Sequence, residues 1–196
     1  MEKRKKDKAA VYADLIAVTD RKSVRGDFLS RIKEVAGLHP KAIILREKDL
    51  SDAGYESLAE EVMRICAAAE VPCFLHGRPE IAKKLGCTNI HMPVSMAEAA
   101  AGNFERISVS CHSLEDVRIA EKCGATQIVL GTIFETQCKR GLKGKGIDFL
   151  KKICAETDLP VYAIGGITPE NLTDVLAAGA AGGCMMSGFM AAPLLR

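Results

Sequence analysis

Short apolar runs alternate with longer stretches in which apolar positions recur at helical spacing, and the alternation continues along the whole chain. The apolar runs lie in DLIAVTD, KAIILREKD, PCFLHG, NIHMP, RISVSCH, TQIVLGT, PVYAIGG and GGCMMSG. Between them come amphipathic segments over Phe28 to Gly37, Tyr55 to Ala69, Ile81 to Gly86, Leu114 to Gly124, Gly146 to Thr157 and Pro169 to Gly179, with a short one over Ser95 to Ala101. Nearly continuous apolar strands separated by helices predict a parallel sheet with helices packed on its faces. Eight such units, each about 25 residues long, are the number that closes a (β/α)8 barrel. A doubly wound open sheet is the competing α/β arrangement. It is disfavoured because no GxGxxG follows the first strand, and polar residues recur at the carboxyl ends of almost all strands rather than at one crevice.

The helix boundaries have local chemical causes. Thr168-Pro169-Glu170 offers a hydroxyl cap and a proline in the first turn, and Ser113-Leu114-Glu115-Asp116 places acids beside unpaired helix amides. Gly37, Gly86, Gly124 and Gly179 follow apolar helical runs, as helix-ending glycines do. The chain stops at SGFMAAPLLR, which leaves room for only a truncated last helix. The expectation is therefore a single-domain TIM barrel over residues 11–196, preceded by a flexible basic tail over residues 1–10. The missing helical cover predicts an apolar flank that a second copy, in a homodimer, could hide.

Composition narrows the function classes. The chain carries 27 Lys and Arg against 25 Asp and Glu, so no net field singles out nucleic acid or a membrane surface, and anion recognition must be local. No apolar run approaches the length of a membrane span, and the basic N-terminus has no adequate signal-peptide core. The eight cysteines never form a CxxC pair and often sit inside apolar runs, which fits buried, reduced thiols in a cytoplasmic protein better than a disulfide framework or a zinc site.

In a parallel barrel the carboxyl ends of the strands converge on one mouth. The polar residues at those ends are Thr19 and Asp20, Arg46 with Glu47 and Lys48, His76 with Arg78, His91, His112, and Gly131 with Thr132. The last two strands end in IGGITPEN and MMSGFM, glycine-containing turns that precede helix starts. Backbone amides there can hold a phosphate without net charge. His112 ends the fifth strand at that mouth, a position where a lone histidine is more often structural, whereas its neighbour Cys111 should face the opposite side of the strand.

The motifs AVTDR, LREKD, CHSLED, FETQCKRGLKGKG, AIGGITPENL and the final SG occur in the order found in the thiamine phosphate synthase and TenI superfamily, which the chain resembles over nearly its whole length. The resemblance implies a TIM barrel binding a thiazole phosphate at its mouth, with the phosphate on Gly165, Gly166, Ser187 and Gly188. It also implies a branch. The synthases carry aspartates for magnesium where this chain has Gly77 and Met96, and a glutamine where it has Ile44. The FETQCKRGL loop is similar to that of TenI-type members, which are thiazole tautomerases.

On that resemblance the expected function is a metal-free isomerase of thiamine biosynthesis, without cofactor, that aromatises carboxythiazole phosphate by a proton shift through His112. Substrate-binding candidates are Arg46, His76, Gly131, Thr136 and Lys139. Arg46 could clamp a carboxylate or join Glu47 and Lys48 in a charged layer; His76 could line the pocket or pack as a polar core residue; His91 reads as structural. Two alternatives stay open: a thiamine phosphate synthase, coupling thiazole phosphate to hydroxymethylpyrimidine diphosphate, and a non-catalytic regulator that binds such phosphates.

Overall fold

The computed structural model describes residues 11–136 and 143–194. Eight parallel strands close into a barrel in sequential order, β1 to β8. They are β1 Leu15–Val18, β2 Ala42–Leu45, β3 Cys73–His76, β4 Asn89–Pro93, β5 Arg106–Cys111, β6 Gln127–Gly131, β7 Val161–Ile164 and β8 Gly182–Met185. Each coincides with one of the apolar runs. Helices cover the outside: α1 Phe28–Ala36, α2 Asp52–Ala68, α3 Pro79–Lys84, α4 Leu114–Lys122, α5 Gly146–Glu156, α6 Leu172–Ala177 and the short α7 Ser187–Met190. The last of these helices spans four residues.

Burial divides by strand face. Leu15, Ala17, Ile43, Leu45, Leu75, Val109 and Leu130 point outward and join the helices in the main core. Ile16, Val18, Ala42, Ile44, Phe74, Val129, Tyr162 and Cys184 form a second cluster inside the barrel. The period of two that separates these sets also decides which polar residues face inward. On β5, Ser108 and Ser110 lie on the inner face while Ile107, Val109 and Cys111 lie on the outer one, and His112 continues the inner set. On β2, the inward Ile44 is followed at the same spacing by Arg46 and Lys48.

Some local expectations need correction. The segment expected as a helix over Ser95 to Ala101 is a 3₁₀ segment over Val94–Ala100, entered directly from Pro93. Thr168 and Pro169 form a turn ahead of the helix rather than its first residues: Thr168 N donates to Asn171 Oδ1 (2.9 Å), and α6 begins at Leu172. The Ser113 cap is present, accepting from Asp116 N at 3.1 Å. None of the described cysteines forms a disulfide.

The flank beside β8 is covered from within the chain. Phe189 and Met190 are buried, Tyr12 stacks on Phe189 at 5.4 Å between ring centres, and Arg31 Nε donates to the Phe189 carbonyl at 2.6 Å. Among the described residues, these contacts cover part of the flank that the short last helix was expected to expose. The tail expected over residues 1–10 lies outside the described residues. No helix among the described residues is long and apolar enough to cross a membrane.

Candidate active site at the carboxyl mouth of the barrel

A cavity of about 390 Å³ opens at the carboxyl ends of the strands, where barrels of this architecture keep their chemistry. Its walls are of two kinds. Val18, Ile44, Val129, Ile164 and Met185 supply apolar surface. His76, His91, Ser110 and His112 supply polar groups, with Arg46 and Lys48 at the end of β2. The glycine turn after β7 lines it through Gly165 and Gly166, with Thr132, Thr168 and Ser187.

The cations are aimed by the strand alternation and held by what lies between them. Glu47, between Arg46 and Lys48, turns to the other side and is 3% exposed. It accepts from Thr19 Oγ1 at 2.7 Å and from the Arg21 backbone amide at 3.0 Å, and pairs with the Arg21 guanidinium at 3.4 Å. Thr19 Oγ1 in turn accepts from Arg46 N at 2.9 Å. The charged layer considered for Arg46 and Glu47 is therefore split: the acid braces the β1 and β2 ends, and the two cations line the cavity.

A buried tyrosine ties the next two strands together. Tyr55, fully buried on α2, donates to the Leu45 carbonyl at 2.7 Å and accepts from His76 N at 2.9 Å. Arg78 covers its ring at 4.3 Å and donates to the carbonyls of Glu47 and Leu50. These bonds set the spacing between the strand end that carries Arg46 and the one that carries His76.

The imidazoles are in distinct environments. His91 bridges Ser108 Oγ (2.9 Å at Nδ1) and Ser110 Oγ (2.7 Å at Nε2) and is 4% exposed. His76 lies across from it with ring centres 5.5 Å apart. Burial, followed by the charges of Arg46 and Lys48, holds His76 down to about 4. Burial and then the neighbouring His76, Arg46 and Lys48 hold His91 down to about 3. Both rings are neutral near pH 7, so each presents a hydrogen-bonding nitrogen without charge. His112 differs again: Nδ1 meets the Gly131 carbonyl at 2.7 Å, and a carbonyl only accepts, so Nδ1 carries the proton and Nε2 is the nitrogen left to meet a ligand. Its backbone is pinned by Asp116, which accepts from His112 N at 2.6 Å, and by Lys145, whose ammonium reaches the His112 carbonyl. Cys111 points the other way into the core, its thiol pushed up to about 12 by burial.

The turn after β7 is built so that only glycine fits. Gly165 and Gly166 have φ of +101° and +64°. A β-carbon on Gly166 would lie 2.7 Å from both the Glu135 carbonyl oxygen and Phe134 Cβ. Bare backbone is thereby held against the loop after β6, at the edge of the cavity.

The structure brings together Arg46, His76, His112, Thr136, Gly165, Gly166 and Ser187 of the expected residues. Gly131 does not line the cavity; it is buried against Ile164 and contributes its carbonyl to His112. Gly188 sits behind Ser187, against the Met185 side chain. Lys139 lies outside the described residues. His91, read as structural, does brace β5 but also lines the cavity, as do Lys48, Ser110 and Thr132. The inward alternation of Ser108, Ser110 and His112 is the signal that could have found Ser110 from sequence.

Comparison with known proteins follows the same lines. A family model described as thiamine monophosphate synthase matches residues 15–189. The thiamine-phosphate synthase of Clostridium acetobutylicum is 30% identical over 188 residues, covering 93% of this chain and 89% of the relative. That of Clostridium botulinum is 32% identical over 184 residues, covering 90% of each. The solved thiamine phosphate pyrophosphorylase from Pyrococcus furiosus superposes with a TM-score of 0.81 at 25% identity, covering 93% of this chain and 90% of that one. The expected thiazole tautomerase is overturned by these findings. The relatives bear the name of the synthase, a transferase, and nothing in them speaks for the isomerase or for a TenI-type branch.

Proposed function

Because this chain is a member of the thiamine monophosphate synthase family, we propose that it is a transferase joining a thiazole phosphate to hydroxymethylpyrimidine diphosphate at the mouth of the barrel. The observation that carries the reading is that the cavity has two sets of groups able to receive an anion. The cations Arg46 and Lys48 line it from the end of β2, and the bare glycine turn of Gly165 and Gly166 lines it after β7, with Ser187 after β8. Two anionic groups on two substrates need two such sets.

The chemistry assigns a role to each part. The thiazole ring nitrogen attacks the methylene carbon of the pyrimidine; the carbon–oxygen bond to diphosphate breaks, and diphosphate leaves with the electron pair. No proton is transferred in this step, so no general base is required. Negative charge grows on the departing oxygens, and Arg46 and Lys48 are placed to meet it. The backbone at Gly165 and Gly166, with the Ser187 hydroxyl, receives the thiazole phosphate. The neutral imidazoles of His76 and His91 and the Nε2 of His112 offer uncharged hydrogen-bonding partners to ring nitrogens and amino groups. The apolar wall excludes water from the reactive carbon.

Relatives of this kind, by the resemblance described above, hold magnesium on two aspartates. The corresponding residues here are Gly77 and Met96. Gly77 has no side chain, and Met96 is 43% exposed on the Val94–Ala100 segment and does not line the cavity. No Asp or Glu lines the cavity among the described residues. Magnesium requires an oxygen shell built in part from carboxylates, so these residues do not fit it, and the roles above are assigned without it.

The test is to incubate the full chain with both substrates and follow thiamine phosphate by its fluorescence after oxidation to a thiochrome. The expected result is product that requires both substrates, with a rate reduced about tenfold or more by Arg46→Gln. Binding of thiazole phosphate with no product under any metal condition would instead mark a binding protein.

A further inference from the structure

The mismatch between this mouth and a magnesium site has a physical consequence of its own. We propose, resting on the synthase reading, that this chain takes its diphosphate-bearing ligand with fixed protein cations in place of a divalent metal, so that magnesium weakens polyanion binding instead of promoting it.

The carboxylates that follow β1 and β2, and Asp116 after β5, are committed elsewhere, and none of them lines the cavity. Glu47 is buried between Thr19 and Arg21. Asp49 is paired with Arg21 at 2.7 Å and Lys22 at 3.0 Å. Asp52 pairs with Arg78 at 3.0 Å, and Asp116 accepts from the His112 amide at 2.6 Å. Asp20 accepts from the Ser23 hydroxyl. What faces the cavity is Arg46, Lys48, hydroxyls, the uncharged imidazoles of His76 and His91, and His112, with the apolar residues named above.

Among the described residues the charges on the lining are therefore positive. A divalent cation entering it meets like charge and no lining carboxylate, whereas a free diphosphate meets two cations and a set of donors. The two neutral histidines agree with this picture, since the field of Arg46 and Lys48 helps keep them unprotonated. In a carboxylate-held metal site the dependence has the opposite sign: the metal bridges protein and ligand, and its removal abolishes binding. In a fixed-cation site the magnesium complex of the ligand carries less negative charge than the free anion and binds less well.

The experiment is calorimetric titration of the full chain with inorganic pyrophosphate, first with EDTA and then at stepwise increasing magnesium. Binding in EDTA, with affinity falling severalfold as magnesium is added, is the expected result. Arg46→Gln, checked for native circular dichroism, is expected to bind about tenfold more weakly in EDTA. Binding that appears only with magnesium overturns the proposal, as does affinity that rises with magnesium or a failure to bind pyrophosphate under either condition. The coupling assay separates this result from the reading it rests on. Pyrophosphate bound in EDTA without thiamine phosphate formed under any condition removes the synthase and leaves the fixed-cation site. Product and pyrophosphate binding that both require magnesium keep the synthase and remove the proposal.

Discussion

Acid should destabilise this barrel well before its carboxylates protonate, because two histidines are buried in a form that refuses a proton. In the unfolded chain a histidine titrates at 6.5, whereas His76 in the folded chain is held down to about 4. Between these values the unfolded state binds a proton that the native state does not. Stability is therefore complete above about pH 6.5 and falls as the pH drops toward the folded value. At about pH 5 the loss from His76 alone is on the order of 2 kcal/mol, and His91, held down to about 3, contributes a similar amount. Both rings are at least nine-tenths buried, so solvent screening takes little from these figures. Against a total stability of roughly 5–15 kcal/mol, a combined loss of about 4 is large. Urea midpoints measured at steps between about pH 7.5 and about pH 5 should fall with a slope approaching two protons, with little change in the urea dependence itself. His76→Gln should remove about half of the slope, because the amide keeps hydrogen-bonding capacity and does not titrate. A stability that stays flat across this window, or a slope that survives in the double variant His76→Gln/His91→Gln, would refute the reasoning.

Two further substitutions probe how the mouth is held. Tyr55→Phe leaves the Leu45 carbonyl and His76 amide buried without their shared partner, and should cost about 1–3 kcal/mol by thermal or urea unfolding while lowering turnover through a loosened Arg46 and His76 spacing. An unchanged melting temperature would show that water or another donor replaces the hydroxyl. Gly166→Ala places a methyl group against Glu135 O and Phe134 Cβ at a backbone angle that disfavours side chains; a loss of about 1–3 kcal/mol and a weaker affinity for thiazole phosphate, measured by titration, are expected. Full retention of both would mean that the turn has room to move and does not set the phosphate edge.

Order along the chain carried the fold, because each strand is a continuous apolar run and each helix an amphipathic one. The mouth was legible for the same reason: parallel topology gathers strand ends, and residues two apart share a face, which places Ser110 with His112 and Arg46 with Lys48. Interactions that depend on distant partners were not legible. Glu47 finds Thr19 and Arg21, and Tyr55 finds Leu45 and His76, through contacts that no local pattern announces. Gly131 and Gly188 have the composition of ligand-binding turns, yet in the structure their missing side chains make room for Ile164 and Met185. The early end of the chain suggested an uncovered flank because the covering residues, Tyr12 and Arg31, lie at the other end of the sequence. The isomerase reading failed for a different reason. It leaned on a few loop residues, several within 137–142, and on a histidine at a strand end. A cavity that holds a thiazole phosphate needs the same polar groups whether the ring is rearranged or joined to a second ring.

The seam of the barrel joins the first strand to the last. Leu15, Ile16 and Ala17 pair with Gly183, Cys184 and Met185, and the Gly183 amide donates to the Asp14 carbonyl at 3.0 Å. During synthesis the ribosome therefore releases an open curved sheet whose two outer strands lack partners until the final segment emerges. Closure is a late, long-range event, of the kind that slows folding. Arg31 and Tyr12 wait on one side of the gap for Phe189 to arrive, so the last stretch of the chain acts as a latch. Loss of Phe189 would leave the strands paired but take from the seam the ring that Tyr12 packs on and the carbonyl that Arg31 holds.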